Sequence, residues 1–276
     1  MIRKLKKIIR YYLTKEKNAF IDFAISNVKL RGVKGTFRKK VDQDDAWFFA
    51  LAKNSEHVFD LGSNIGYMSL IAAIQKNNKS ILLVDPNPEA LAKAAQNMII
   101  NGFGLKSKFI SAFIGDVDGE KVRFYTVGSG EAGSMYASFA ETANLVNSFY
   151  EVEKLSIDSI ISQLNYVPDL IKIDVEGAEY LALKGAVAAA SKQRIKFFVE
   201  MHSTNEQPMI KNTTLILDWC RDNNYVPYYL KEGKLLNEAQ TTAHRGKYHL
   251  LLLPKNEEYP EYLRAIKQGD AIPENI

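Results

Sequence analysis

The chain has 276 residues, of which 46 % are apolar and 25 % charged. That is the mix of a globular protein with room for one large α/β domain and a modest extension. Its single cysteine, Cys220, in the apolar run Leu215–Cys220, excludes a disulfide framework and a cysteine-rich zinc site. With no apolar stretch of the roughly 18 residues that a membrane span requires and no signal-peptide pattern, a reducing, cytoplasmic setting is expected.

Charge is unevenly distributed. Residues 1–40 hold 13 Lys/Arg against 2 Asp/Glu, whereas the whole chain is only +4, so a basic arm precedes an acidic body. Within that arm, Ile2, Leu5, Ile9 and Tyr12 recur at helical spacing among Arg3, Lys4, Lys6, Lys7 and Arg10. The pattern predicts a basic amphipathic helix, and residues 1–41 a helical extension. The body, 42–276, opens on a helix at Asp44–Lys53. Strands are expected near His57–Asp60, Ser80–Asp85, Lys108–Phe113, Leu170–Asp174 and Lys196–Glu200, with helices at Tyr67–Gln75, Pro88–Asn101 and Ala178–Ala190 between them. A helix over Lys211–Asp222 then precedes two strands, Tyr225–Lys231 and Tyr248–Leu253, with no helix between them. Alternating βα units and short apolar strands predict a Rossmann-like, mostly parallel seven-stranded sheet closed by an antiparallel strand. Gly128–Ser138 reads as a loop insertion.

The strand at Val58 ends in Asp60, turns through Gly62 and Gly66, and runs into a helix. Glycines let a ligand approach the backbone, and a helix start offers unpaired N–H groups. A dinucleotide fingerprint needs G-x-G-x-x-G. Here Asn64 and Tyr67 stand at the second and third glycine positions, which favours a nucleoside without a pyrophosphate. The next strand ends at Asp85-Pro86-Asn87-Pro88. Asp85 lies 25 residues beyond Asp60, near the spacing of about 20 at which a carboxylate meets a ribose diol, although a helix cap would use the same residue.

Together these blocks resemble the FkbM family of S-adenosylmethionine-dependent methyltransferases. The resemblance extends over about Asp42–Pro254 through VFDLGSNIGYMSL (58–70), VDPNPEAL (84–91), QNMIINGF (96–103), GDVDGE (115–120), LSIDSI (155–160), LIKIDVEGAEYLALKGA (170–186) and FFVEMHS (197–203). Ser63 departs from the commoner Ala, and Asp85 from the usual Glu. The resemblance implies S-adenosylmethionine as cofactor. Asp60, Gly62, Ser63, Asn64, Gly66 and Tyr67 would border its methionine part, with Asp60 on the ammonium. Asp85 would take the ribose, Pro86 and Asn87 would pack near the adenosine, and Ala112 and Phe113 would lie by the adenine; Phe113 is equally suited to the core.

In the 170–186 block, Lys172, Asp174 and Glu176 alternate on one side of a strand tip, where the reacting methyl is expected. Asp174 is thus placed both at the cofactor and at the chemistry. Glu179 reads as a first-turn charge favoured by the helix dipole. Glu200 and His202 share one side of the neighbouring strand. His202 is the expected general base, with Glu200, Asp174 or Glu176 orienting or replacing it. Asp174, Glu176 and Glu200 offer oxygen ligands for Mg²⁺, but their spacing does not demand a metal and none is expected.

The family resemblance implies O-methylation of a sugar, glycan or natural-product hydroxyl. Ser134, Tyr136, Ser138 and Tyr150 in and after the insertion suit a polyhydroxylated acceptor. Residues 1–17 suit either a solvated basic face on a helix packed against the domain or weak contact with an anionic membrane surface. An RNA methyltransferase and a non-catalytic nucleoside-binding protein are the rival readings. Against nucleic acid stand the acidic body and the absence of aromatics interleaved with Lys/Arg.

Overall fold

The structure, a computed structural model, describes residues 20–38, 40, 42–126, 135, 145 and 147–275. The expected helix within residues 1–17, and Ser134, Tyr136 and Ser138, lie outside the described residues. Among the described residues no helix is long and apolar enough to cross a membrane.

A hairpin comes first, where a helical extension was expected: β1 (Phe20–Ile25) pairs antiparallel with β2 (Val28–Val33). FIDFAI and VKLRG alternate with a period of two, and a strand satisfies that period where a helix does not. There follow α1 (Asp45–Lys53), β3 (His57–Leu61), α2 (Tyr67–Ala73), β4 (Ser80–Val84) and α3 (Pro88–Ile100). The predicted strand at Lys108–Phe113 divides. β5 (Ser107–Ile110) stays in the main sheet, and the chain breaks at Ser111–Ala112 so that β6 (Phe113–Ile114) pairs elsewhere. Its partner is β8 (Phe149–Leu155), which also pairs with β7 (Lys121–Tyr125) in a small second sheet. The sequence reading missed this sheet and the helix after it, α4 (Ile157–Leu164).

Then come β9 (Leu170–Ile173), α5 (Glu179–Lys184) and α6 (Val187–Ala190), which split the single helix expected there. β10 (Lys196–His202), α7 (Met209–Asp222), β11 (Tyr225–Tyr229), β12 (Lys234–Leu235) and β13 (Lys247–Pro254) complete the main sheet. Its order is β12-β11-β13-β10-β9-β3-β4-β5. Five strands from β5 to β10 are parallel, and β13 enters antiparallel between β10 and β11. Seven of these strands match the expected set. The eighth, two-residue β12, only lengthens the β11 edge.

Both faces are covered. Phe59, Leu61, Leu82, Val84, Phe197, Val199, Leu250 and Leu252 pack in one buried cluster. Val58, Ile81, Leu83, Phe198, Leu251 and Leu253 alternate with them in a second, shared with α1–α3 and with Ile25 and Leu30 of the hairpin. Chain order reverses between β3 and β9, and a crevice opens outside the carboxyl ends of the strands there, the usual ligand position in such sheets.

Asn97 of α3 ties this region together. Fully buried, it accepts a hydrogen bond from Val33 N–H at 2.8 Å and donates to Thr36 Oγ1 and to the Ile65 carbonyl, each at 2.8 Å. One amide thus joins the hairpin, the 33–36 segment and the glycine turn after β3. Replacing it by alanine strands three buried groups, each worth roughly 1–3 kcal/mol before relaxation. Asn97→Ala is expected to lose about 2–4 kcal/mol in denaturant unfolding, with earlier proteolysis in 20–40 than in the sheet.

Candidate active site

The crevice is about 400 Å³, within the range of small-molecule sites. Gly62, Ser63, Asn64, Tyr67, Asp85, Pro86, Asn87, Ala112, Phe113, Asp174, Glu176 and Glu200 all line it. So do Thr36, Arg38, Asp42, Lys172 and Lys247, which the sequence reading did not assign as site residues. Asp60, Gly66 and His202 are not among its lining residues.

Glycine chemistry explains the turn after β3. Gly62 has φ +80°, and a Cβ there would stand 1.7 Å from the Asp174 carbonyl oxygen. Only glycine lets the β3 and β9 tips approach so closely. Gly66, at φ +82°, serves a different contact: a Cβ would press on Ala94 at 3.0 Å, so its role is α2–α3 packing rather than ligand contact.

Asp60 also departs from its expected role. It is fully buried, accepts from Ser69 Oγ at 2.6 Å and faces Lys172 Nζ at 3.5 Å. The crevice carboxylate on this side is Asp174, bonded to Lys172 Nζ at 3.0 Å. Lys172 itself is 1 % exposed. Burial works against its charge, yet Asp174 and Asp60 hold its pKa above the ordinary lysine range.

Asp85 is positioned by main chain. Its Oδ2 accepts from Asn64 N–H at 2.7 Å and its Oδ1 from Asn87 N–H at 2.8 Å. Asn87, not Asp85, caps α3, its side chain accepting from Glu89 and Ala90 N–H. Burial pushes the Asp85 carboxyl up to about 7, against the two backbone hydrogen bonds. Asn64 sits at φ +48°, a left-handed conformation that asparagine accepts more readily than most residues. Ala112 and Phe113 form the opposite wall, where the broken strand turns away, and Phe113 also packs with Phe124, Val152 and Ala178.

The far end of the crevice is a carboxylate cluster around His202. Nδ1 of His202 lies 2.9 Å from Glu179 Oε1, while Nε2 lies 3.4 Å from Glu200 Oε1, 3.5 Å from Glu176 Oε2 and 3.9 Å from Asp174 Oδ1. Burial disfavours the charged ring, but Glu179, Glu200 and Glu176 outweigh it and hold the His202 pKa well above its ordinary value. His202 thus stands behind the carboxylates, bonded to Glu179 and outside the crevice lining, a geometry that favours holding the glutamates in place over the expected role of general base.

Glu179, expected only as a first-turn charge, is the hub of this cluster. Its Oε1 also accepts from Gly177 N–H at 2.8 Å, and its Oε2 from Asn212 Nδ2 at 2.8 Å. By gripping Gly177 (φ +100°) it fixes the preceding residue, Glu176, in the left-handed region at φ +52°. Such strain costs on the order of 1–3 kcal/mol and persists where surroundings enforce it. Burial raises the Glu176 carboxyl to about 7, with His202 opposing and Asp174 and Glu200 reinforcing. Glu200 meets Lys247 Nζ at 2.5 Å. Burial opposes its charge as well, but the imidazoles of His202 and His249 keep its pKa well below the usual carboxylate value.

The family model described as Methyltransferase FkbM domain matches residues 60–227, which span the glycine turn, Asp85 and the His202 cluster. The chain belongs to the FkbM methyltransferase family. This is a family of S-adenosylmethionine-dependent enzymes. A methyltransferase FkbM from Methylobacillus flagellatus KT is 19 % identical, with 72 % of this chain and 44 % of that one covered at a TM-score of 0.45. The FkbM chain described here thus spans less than half the length of that relative. TYW2 of P. horikoshii in complex with MeSAdo is 11 % identical, covering 89 % of this chain and 79 % of its own at 0.48. M. capricolum TrmK in complex with S-adenosylhomocysteine is 13 % identical, covering 78 % and 69 % at 0.43. No curated protein matches the chain.

The Lys172 pair yields a direct test. Removing one partner of a buried ion pair typically costs about 3–5 kcal/mol, because it leaves an uncompensated charge. Lys172→Met is expected to destabilise this FkbM domain by about that amount in urea unfolding. Adding Asp60→Asn, which removes the stranded charge, is expected to restore at least half of the loss.

Proposed function

We propose that the chain moves the methyl group of S-adenosylmethionine to a hydroxyl of a sugar, glycan or related natural product, with Glu176 as the base. The observation that carries this reading is Glu176 itself, a carboxylate held on a strained turn at the reacting end of the crevice.

The residues present fit the cofactor. Each Asp85 oxygen accepts one backbone N–H and retains a lone pair, as two vicinal hydroxyls require. Ser63 Oγ is buried on the crevice wall with no hydrogen-bond partner among the described residues. Asp174 presents a carboxylate to an ammonium, and Ala112, Phe113 and Pro86 offer apolar surface to an adenine. S-adenosylmethionine supplies an electrophilic methyl on a sulfonium centre.

The chain's own contribution is to place and deprotonate the acceptor. As the acceptor oxygen bonds the methyl carbon and the carbon–sulfur bond breaks, the hydroxyl proton passes to Glu176. His202 and Lys247 keep the neighbouring carboxylates charged without competing for that proton. A positioned base is worth roughly 10²–10⁴-fold. Arg38, Asp42 and Lys247 at the rim, with Tyr150 on β8, would meet the polar acceptor. A cytoplasmic location, with the basic residues 1–17 near an anionic membrane surface, belongs to the same reading.

Two measurements test the roles. Asp85 must be ionised to accept from both ribose hydroxyls, and its carboxyl lies near 7, so affinity should fall with falling pH. Calorimetry with S-adenosylhomocysteine is expected to show about tenfold weaker binding at pH 6 than at pH 8. Asp85→Asn should bind weakly and without that pH dependence; a pH-independent wild type would remove Asp85 from the ribose.

Glu176→Gln should lower kcat by roughly 10²–10⁴-fold while cofactor affinity changes less than about twofold. The acceptor class is decided by transfer of labelled methyl to a panel of saccharides, glycans and transfer RNA. Labelling of saccharides supports the proposal, and labelling of RNA alone overturns it.

A further inference from the structure

Strands β10 and β13 form an apolar pair, FFVEMH against YHLLLL, yet one register position joins Glu200 directly to His249. Both are buried, at 5 % and 2 % exposure, and Asp44, just ahead of α1, closes over them at 1 %. Asp44 occupies the helix N-cap, but its side chain makes no cap hydrogen bond. It turns instead toward the imidazole. His249 Nε2 lies 3.4 Å from Glu200 Oε2 and 3.8 Å from Asp44 Oδ2, and one atom from each of the three residues falls within 4.8 Å of the others.

Beyond these ion-pair distances to Glu200 and Asp44, the histidine is unexplained. Its ring stacks on Phe198 at 5.5 Å between centroids and leans on Trp47 at 5.8 Å, contacts that phenylalanine would make as well. Neither ring nitrogen has a hydrogen-bond partner among the described residues. A buried polar group without one is costly and asks for a reason.

We propose that Asp44, Glu200 and His249 bind a divalent first-row cation of the zinc or manganese type. Ligands at about 2.0–2.2 Å from one ion stand roughly 3–3.5 Å apart. The Glu200–His249 separation of 3.4 Å already meets that, and Asp44, at 3.8 Å from the ring, must draw closer to complete the set. One imidazole with two carboxylates suits zinc or manganese; magnesium and calcium prefer oxygen alone. Lys247 and Arg38 engage the outer oxygens, Glu200 Oε1 and Asp44 Oδ1, leaving Oε2 and Oδ2 toward His249. A second constellation, Asp174, Glu200 and His202, also has ligand spacing. There, however, the ring already has a hydrogen-bond partner in Glu179, at 2.9 Å from Nδ1, whereas both nitrogens of His249 are buried without one among the described residues. The cation would join the 35–44 segment, which walls the crevice through Arg38 and Asp42, to the strand that carries Glu200.

The test uses full-length protein stripped with chelator, titrated with ZnCl₂ or MnCl₂ alone by calorimetry, with thermal shift and elemental analysis as further readouts. The wild type is expected to bind one equivalent and to melt several degrees higher. His249→Phe, which keeps the stacking, and Asp44→Asn should each weaken binding at least tenfold, whereas His202→Gln should leave it within about threefold. Should His249→Phe fail to fold, Asp44→Asn gives the same reading. Absence of saturable binding by the wild type overturns the proposal, as does loss in His202→Gln with retention in Asp44→Asn.

Discussion

The site depends on one close contact between backbones. Where β3 turns, Gly62 lies so near the Asp174 carbonyl that no Cβ fits, while Asp174 N–H donates to the Leu61 carbonyl at 3.0 Å. The tips of β3 and β9 are thereby locked side by side at the point where the sheet reverses its order. The turn after β3 is expected to face the adenosyl group and the turn after β9 the acceptor. In the proposed reaction their separation would set the distance between donor and base, to which rates are steeply sensitive. Asn97 on one side and Glu179 on the other then fix the two turns from behind.

The second constraint is charge. Asp60, Asp174, Glu176, Glu179 and Glu200 crowd one end of the sheet, and Lys172, His202 and Lys247 are interleaved among them. Burial penalises every one of these charges unless it is paired. The pairing differentiates chemically similar residues. Glu200 is held well below the usual carboxylate value by two imidazoles, whereas burial, with Asp174, Glu200 and Glu179 nearby, raises Glu176 to about 7. Environment thus pushes the carboxyls of two neighbouring glutamates in opposite directions.

The family and most of the sheet were legible because they depend on local pattern. Short apolar strands, the Gly62–Gly66 turn and the acid at the end of the second parallel strand are written in consecutive residues. Elements misread from the sequence were those whose fate depends on distant partners. The 108–113 strand breaks because Phe113 and Ile114 find β8, some forty residues later, and the 178–190 helix divides at Gly185, where a Cβ would strike the Gly115 carbonyl. Lys247, Arg38 and Asp42 reach the crevice from sequence positions far from any of its motifs. The nearest available signal was a histidine, His249, inside an otherwise apolar strand.

The sequence by itself determined the fold class, the family and the residues gathered at the carboxyl ends of the strands, since periodicity and turn chemistry act within a few residues. Only the tertiary structure decided which of those residues face the crevice and which partners each one meets. Asp60 is engaged by Ser69 and Lys172, and His202 is enclosed by three glutamates from separate positions in the chain. Burial and through-space electrostatics settle such roles, and both are properties of contacts between segments that no local pattern encodes.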